Sequence, residues 1–173
     1  MKIVLIGHMG SGKSSVGIKL AAALKIPFKD LDSEIEKVEK TSISNIFSEK
    51  GEIYFRKVEG KVLKKLLSAT SSFVLATGGG TPCYGDSMTY IAGLEDVVSV
   101  YIKVQLGTLT SRLFSEKENR PLLAHLKTED ELNDFIRKHL FERAYYYNQS
   151  KEIVAVDAEN INETVEKIIL KLF

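Results

Sequence analysis

A chain of 173 residues, 44 % hydrophobic and 27 % charged, is long and apolar enough for one domain with a substantial buried core. Its 24 basic and 23 acidic residues leave a formal net charge of +1 and a pI near 7.8, so no overall field favours nucleic acid or an acidic membrane as a partner. Cys83 is the only cysteine, which excludes an intrachain disulfide and a zinc cluster; no apolar run is long enough to span a membrane, and the N-terminus enters the first strand without a signal peptide, so a reducing cytoplasm is the expected compartment.

The apolar run Ile3-Val4-Leu5-Ile6 reads as a buried strand. Gly7-His8-Met9-Gly10-Ser11-Gly12-Lys13-Ser14 follows it, and a helix with Val16, Leu20, Ala23 and Leu24 on its apolar face comes next. Strand, glycine-rich turn and helix, with Gly7, Gly12, Lys13 and Ser14 at the fixed positions, make a P-loop. The glycines let successive N–H groups point into one concavity, and the positive end of the helix faces the same anion. Lys13 is placed for the β- and γ-phosphates, and the Ser14 hydroxyl suits a magnesium ion. The motif implies nucleotide binding and leaves the phosphoryl acceptor open.

Phe28 to Asp32 is expected to be a short strand that ends in two alternating carboxylates, Asp30 and Asp32, with Asp32 also able to cap a helix from Ser33. Ligands of open α/β sheets bind beyond the carboxyl ends of the strands, which puts both aspartates beside the P-loop. Residues 33–69 read as helical segments at 33–40, 42–47 and 51–68, more than a simple crossover needs, and suggest an inserted subdomain over a ligand. Within it Arg56 and Glu59 stand three apart on one helix face and can pair. Ser72 to Thr77 is a buried strand running into Gly78-Gly79-Gly80, a triplet that allows something to approach the backbone closely. Cys83, just after it, fits packing better than chemistry.

Further strands are expected at 97–102 and 152–157, with helices at 84–94, 106–114, 128–148 and 161–173. The polar stretch 115–119 reads as a mobile loop ending at Arg120, a residue placed to close over phosphates. Arg143 lies on the long late helix beside Tyr145-Tyr146-Tyr147. His8, His125 and His139 have no partner at metal-ligand spacing, so none is assigned a catalytic role.

The chain resembles the shikimate kinases nearly from end to end. The resemblance rests on Gly7 to Ser14, Asp30-Leu31-Asp32, Phe55-Arg56 with Glu59, Gly78-Gly79-Gly80, Arg120-Pro121-Leu122-Leu123, and Arg143 with Tyr147. It implies an α/β fold: a P-loop three-layer α/β/α sandwich with a five-stranded parallel sheet, similar to nucleoside monophosphate kinases. It implies one kinase domain over 1–173, with a substrate-binding helical subdomain at 33–60 and a lid at 112–124. It also implies phosphoryl transfer from ATP to the 3-hydroxyl of shikimate, on the route to chorismate and the aromatic amino acids.

In that likeness Gly10, Ser11, Gly12, Lys13, Ser14 and Ser15 hold the ATP phosphates, Arg112 stacks on adenine, and Arg120 swings in with the lid. Ser14 ligates Mg²⁺ with Asp30 behind it. Asp32 orients or deprotonates the attacking hydroxyl. Arg56 and Arg143 bind the shikimate carboxylate, Glu59 supports Arg56, and Gly78, Gly79 and Gly80 contact the hydroxyls. The stretch 157–162 is the region of the adenine loop. The implied partners are ATP and shikimate, with no nucleic acid or membrane, and the implied state is a monomer. The nearest rival is another small-molecule kinase, such as a gluconate kinase. A nucleotide-dependent switch is a rival of another class, but the Asn-Lys-x-Asp motif that a GTPase needs is missing.

Overall fold

The computed structural model describes all residues, 1–173. Its centre is a five-stranded parallel sheet in the order β2-β3-β1-β4-β5. The strands are β1 (Lys2–Ile6), β2 (Phe28–Asp30), β3 (Phe73–Ala76), β4 (Val97–Val104) and β5 (Glu152–Val156). The helices are α1 (Lys13–Leu24), α2 (Leu31–Glu39), α3 (Ile43–Leu67), α4 (Ser87–Gly93), α5 (Leu106–Glu116), α6 (Glu129–Tyr147) and α7 (Ile161–Leu172).

Every residue of β1 is buried, as a central parallel strand covered on both faces must be. Strand alternation splits its side chains between two cores. Ile3 and Leu5 pack with Val16 and Leu20 of α1, Leu109 and Leu113 of α5, and Val165 and Ile168 of α7. Val4 and Ile6 pack with Leu31 and Ile35 of α2, Leu63 and Leu67 of α3, and Met88 and Ile91 of α4. Helix α6 serves both cores, through Leu132 and Ile136 on one side and Tyr147 on the other. Its start is fixed by a capping box between Thr128 and Glu131.

Two local expectations change, and the expected break between two helices takes a definite form. Leu31 and Asp32 belong to α2, because the Asp30 carboxylate accepts from the Ser33 N–H at 3.2 Å and caps the helix two residues before the expected start. The helical stretch after it bends at Gly51, whose φ of 82° and ψ of 173° leave the helix and separate 43–50 from 52–67. The polar stretch 115–119 is the last turn of α5 followed by a 3-10 turn, Lys117–Asn119, and is not an irregular loop. No helix is long and apolar enough to cross a membrane.

Candidate active site

β3 lies beside β1, so the turn after β1 and the glycines after β3 meet at one edge of the sheet, where ligands of open α/β sheets bind. The Thr77 backbone N–H and hydroxyl both donate to Leu5 O, at 3.2 and 2.8 Å, and lock the two strand ends together. Gly12 opens α1 with φ 87°, a left-handed conformation that turns the first helical N–H groups into the concavity. Beyond this turn lies a cavity of about 760 Å³, lined by Met9 to Val16, Asp30, Asp32, Thr77 to Gly79, Arg112, Glu116 and Arg120, and also by Val156 and Glu159 to Asn162.

Lys13 is buried and folds back across the turn, donating to Gly7 O at 2.7 Å and His8 O at 2.9 Å. Burial pulls its pKa down to about 7, and the Asp32 charge opposes that only in part. An amine held this way gains its charge back when an anion enters. The Ser14 hydroxyl donates to Asp30 Oδ2 at 3.0 Å on the cavity wall. Two hard oxygen donors beside a phosphate cradle fit Mg²⁺, which keeps its other positions for water and phosphate oxygens. Asp32 sits in the first turn of α2, and burial, reinforced by the Asp30 charge, raises its pKa to about 6.

The second half of the site is built around Glu59, which is only 2 % exposed. One of its oxygens accepts from Arg56 Nη1 at 2.8 Å and the other from Thr81 Oγ1 at 2.8 Å. This is not a solvated surface pair: a buried carboxylate that uses both oxygens fixes the Arg56 fork in place. The Arg56 guanidinium also lies over the rings of Phe55 and Tyr84, 5.1 and 4.0 Å from their centroids. A Cβ at Gly80 would stand 2.6 Å from Arg56 Nη2, and one at Gly79 would stand 3.2 Å from Arg143 Nη1. Two guanidinium groups from α3 and α6 therefore reach adjacent residues of the glycine triplet. A Cβ at Gly78 would lie 3.8 Å from Asp32 Oδ1 and 3.5 Å from Glu59 Oε2, so the carboxylates are in the same corner. The Tyr147 hydroxyl holds Gly79 O at 2.6 Å.

On the opposite rim Arg112 Nη1 lies 3.4 Å from Gly10 O. Arg120 donates to Glu116 Oε2 from Nε at 3.2 Å and from Nη2 at 2.8 Å. A phosphate cradle thus faces a corner that carries two cations and a raised-pKa carboxylate. That arrangement suits phosphoryl transfer to a small anionic alcohol.

The family model for shikimate kinase matches residues 9–173. A shikimate kinase of Flavobacterium johnsoniae is 46 % identical over 97 % of this chain and 96 % of its own length. The chain belongs to the shikimate kinase family. The crystal structure of a shikimate kinase from Bacteroides thetaiotaomicron superposes with a TM-score of 0.89 at 34 % identity, over 99 % of this chain and 98 % of that one. A shikimate kinase from Acinetobacter baumannii, solved in complex with shikimate, superposes with a TM-score of 0.84 at 31 % identity, over 99 % of this chain and 92 % of that one.

The residues singled out by the likeness to shikimate kinases all fall in this region. Gly10 to Ser15, Asp30, Asp32, Gly78, Gly79, Arg112 and Arg120 line the cavity, and Arg56, Glu59, Gly80 and Arg143 meet beside it. Of the stretch 157–162, the cavity takes Glu159 to Asn162 but not Asp157. Sequence reasoning passed over Thr81, the second anchor of Glu59, and Glu116, the partner of Arg120; His8, given no catalytic role, is 1 % exposed inside the P-loop. Thr81 and Glu116 stand next to residues already assigned, at the end of the glycine triplet and one helical turn before Arg120. That adjacency was the available signal.

Proposed function

We propose that this chain transfers the γ-phosphoryl group of ATP to the 3-hydroxyl of shikimate, giving shikimate 3-phosphate and ADP, and so serves the synthesis of chorismate and the aromatic amino acids. The observation that carries the reading is the convergence of Arg56 and Arg143 on Gly79 and Gly80, within reach of Asp32. A planar carboxylate on the acceptor is held by two guanidinium forks, which leaves a hydroxyl across the ring turned toward Asp32 and the phosphate cradle. Asp32, ionised above about pH 6, accepts the hydroxyl proton as the oxygen attacks the γ-phosphorus; the bond to the β-phosphate oxygen breaks and ADP leaves. Lys13 and the amides of Gly10 to Ser15 hold the phosphates. Ser14, with Asp30 behind it, would hold Mg²⁺, which supplies neutralisation of the phosphate charge. Arg120 exchanges Glu116 for the transferring group, and Arg112 covers the nucleotide base.

On this reading 33–60 is the acceptor-binding subdomain and 112–124 the lid. Both halves of the site come from one chain, which supports a monomer acting on small molecules. The test is ADP release with ATP, Mg²⁺ and a panel of hydroxy acids and polyols that includes shikimate and gluconate. Shikimate is expected to give the highest kcat/KM, and Lys13→Ala to lower its turnover by at least about a hundredfold with the fold intact. Shikimate turnover no better than gluconate turnover would overturn the acceptor assignment.

A further inference from the structure

His8 occupies a position of the P-loop that the motif leaves free, yet its side chain is as buried as the core. Its Nδ1 lies 2.8 Å from the Met9 carbonyl oxygen. A carbonyl can only accept, so Nδ1 carries the proton and Nε2 presents a lone pair. That Nε2 is buried without a hydrogen-bond partner. Burial lowers the pKa of His8 to about 4, which keeps the ring neutral and the lone pair available. Such a group in a native protein calls for an explanation, since an unpaired buried acceptor costs stability.

The surroundings supply one. The His8 ring faces the ring of His139 on α6, with centroids 5.7 Å apart, and Phe135 packs on His139 at 4.3 Å. His139 stands one helical turn before Arg143, on the same face of α6. Arg143 Nη1 and the Met9 backbone N–H approach the same point at Gly79, a virtual Cβ lying 3.2 and 3.3 Å from them. Residues 8 and 9 of the phosphate loop and residues 139 and 143 of α6 therefore share one small interface.

We propose that His8 is a positioning residue for the acceptor: when the acceptor carboxylate draws the Arg143 fork into place, His8 Nε2 accepts one Arg143 N–H and holds the guanidinium against the phosphate loop. This rests on the role assigned above to Arg143, and it makes the acceptor clamp and the phosphate cradle parts of one unit. His8→Phe keeps an aromatic ring against His139 and removes the acceptor. His8→Gln removes the ring and returns an acceptor oxygen.

The test measures KM for the acceptor and for ATP, kcat, and thermal midpoint, using whichever acceptor the wild type turns over in the panel above. A wrong identity for the acceptor then leaves this test intact. The expected result is an acceptor KM raised about tenfold in His8→Phe, as loss of one charge-assisted hydrogen bond would give, with ATP KM within twofold of wild type and His8→Gln restored to within about threefold. In Arg143→Lys, where the fork is already gone, adding His8→Phe is expected to change the acceptor KM by less than about twofold. The proposal is overturned if His8→Phe leaves acceptor KM unchanged, raises both KM values together, or adds its full effect to Arg143→Lys. It is also overturned if His8→Gln behaves like His8→Phe. If His8→Phe does not fold, His8→Gln against His8→Ala decides in the same way. A wild type that turns over no acceptor refutes the kinase reading and this proposal together.

Discussion

At Asp32, burial and the neighbouring Asp30 charge both favour the neutral acid, while Lys13 and the reaction favour the anion. With a pKa near 6, Asp32 is mostly ionised at neutral pH and still basic enough to take a hydroxyl proton. On the proposed mechanism, kcat/KM for shikimate falls tenfold per pH unit below about 6, and the Asp32→Asn variant loses turnover while it keeps ATP affinity. Stability moves in the opposite sense. A carboxyl group whose folded pKa lies above its unfolded value of 3.8 weakens the fold once it ionises, so stability is lost as pH rises from about 4 through 6. The penalty is at most about 3 kcal/mol. It outweighs the ~0.3–1 kcal/mol that a first-turn carboxylate gains from the helix dipole, and Asp30, not Asp32, caps α2. Asp32→Asn is therefore expected to raise the thermal midpoint at pH 7.5 and to leave it unchanged at pH 4. A midpoint that drops at pH 7.5 would show that Asp32 is structural.

Among the elements, the end of α5 and the 3-10 turn after it lead into Arg120, whose guanidinium pairs with Glu116 and which the proposed function makes the lid's cation. An exposed ion pair of this kind is worth no more than about 1 kcal/mol, so the γ-phosphate, with more charge, can displace it. Arg120→Ala should therefore lower kcat by at least about a hundredfold, because its charge is needed during transfer, while ATP affinity falls less than about tenfold. Equal losses in kcat and ATP affinity would make Arg120 a plain binding residue. The same turn shows what a single sequence hides. Ser115 to Asn119 contains no apolar residue to mark a helix face, so its helical end was read as a loop. The P-loop was legible because fixed spacing, a strand and a helix all agreed. The start of α2 was not, because Asp30 and Asp32 are both good caps and only the Ser33 N–H shows which one is used. The bend at Gly51 fell between two segments that were already read as separate helices, so the break was visible though its φ was not.

At the scale of the molecule, the corner where Arg56 and Arg143 meet the glycine triplet is assembled from residues that local pattern could not bring together. Arg56 and Arg143 are on α3 and α6, and only the likeness to a family suggested that they meet. The fold joins them because β3 pairs directly with β1, which sets the glycine triplet against the phosphate loop, and because α6 passes from one core to the other and delivers Arg143 and Tyr147 to Gly79. The backbone at Gly80 is then a gauge for the clamp. Arg56→Lys keeps a charge and loses the fork, and a charged hydrogen bond of roughly 1.5–3 kcal/mol corresponds to a ten- to hundredfold loss of shikimate affinity. Gly80→Ala leaves Arg56 intact but places a methyl group 2.6 Å from Nη2, a contact the guanidinium can relieve only by moving away. Because Glu59, itself anchored by Thr81, holds Nη1 of that fork, the displacement should cost shikimate affinity as well, with ATP affinity unchanged since Gly80 does not line the P-loop cavity. Calorimetric titration of shikimate into Gly80→Ala, Arg56→Lys and the double variant is the measurement. The two single losses should fail to add, since both act on one guanidinium. Additive losses would mean that Gly80 meets the acceptor independently of Arg56, and an unchanged affinity in all three would remove Arg56 from the clamp.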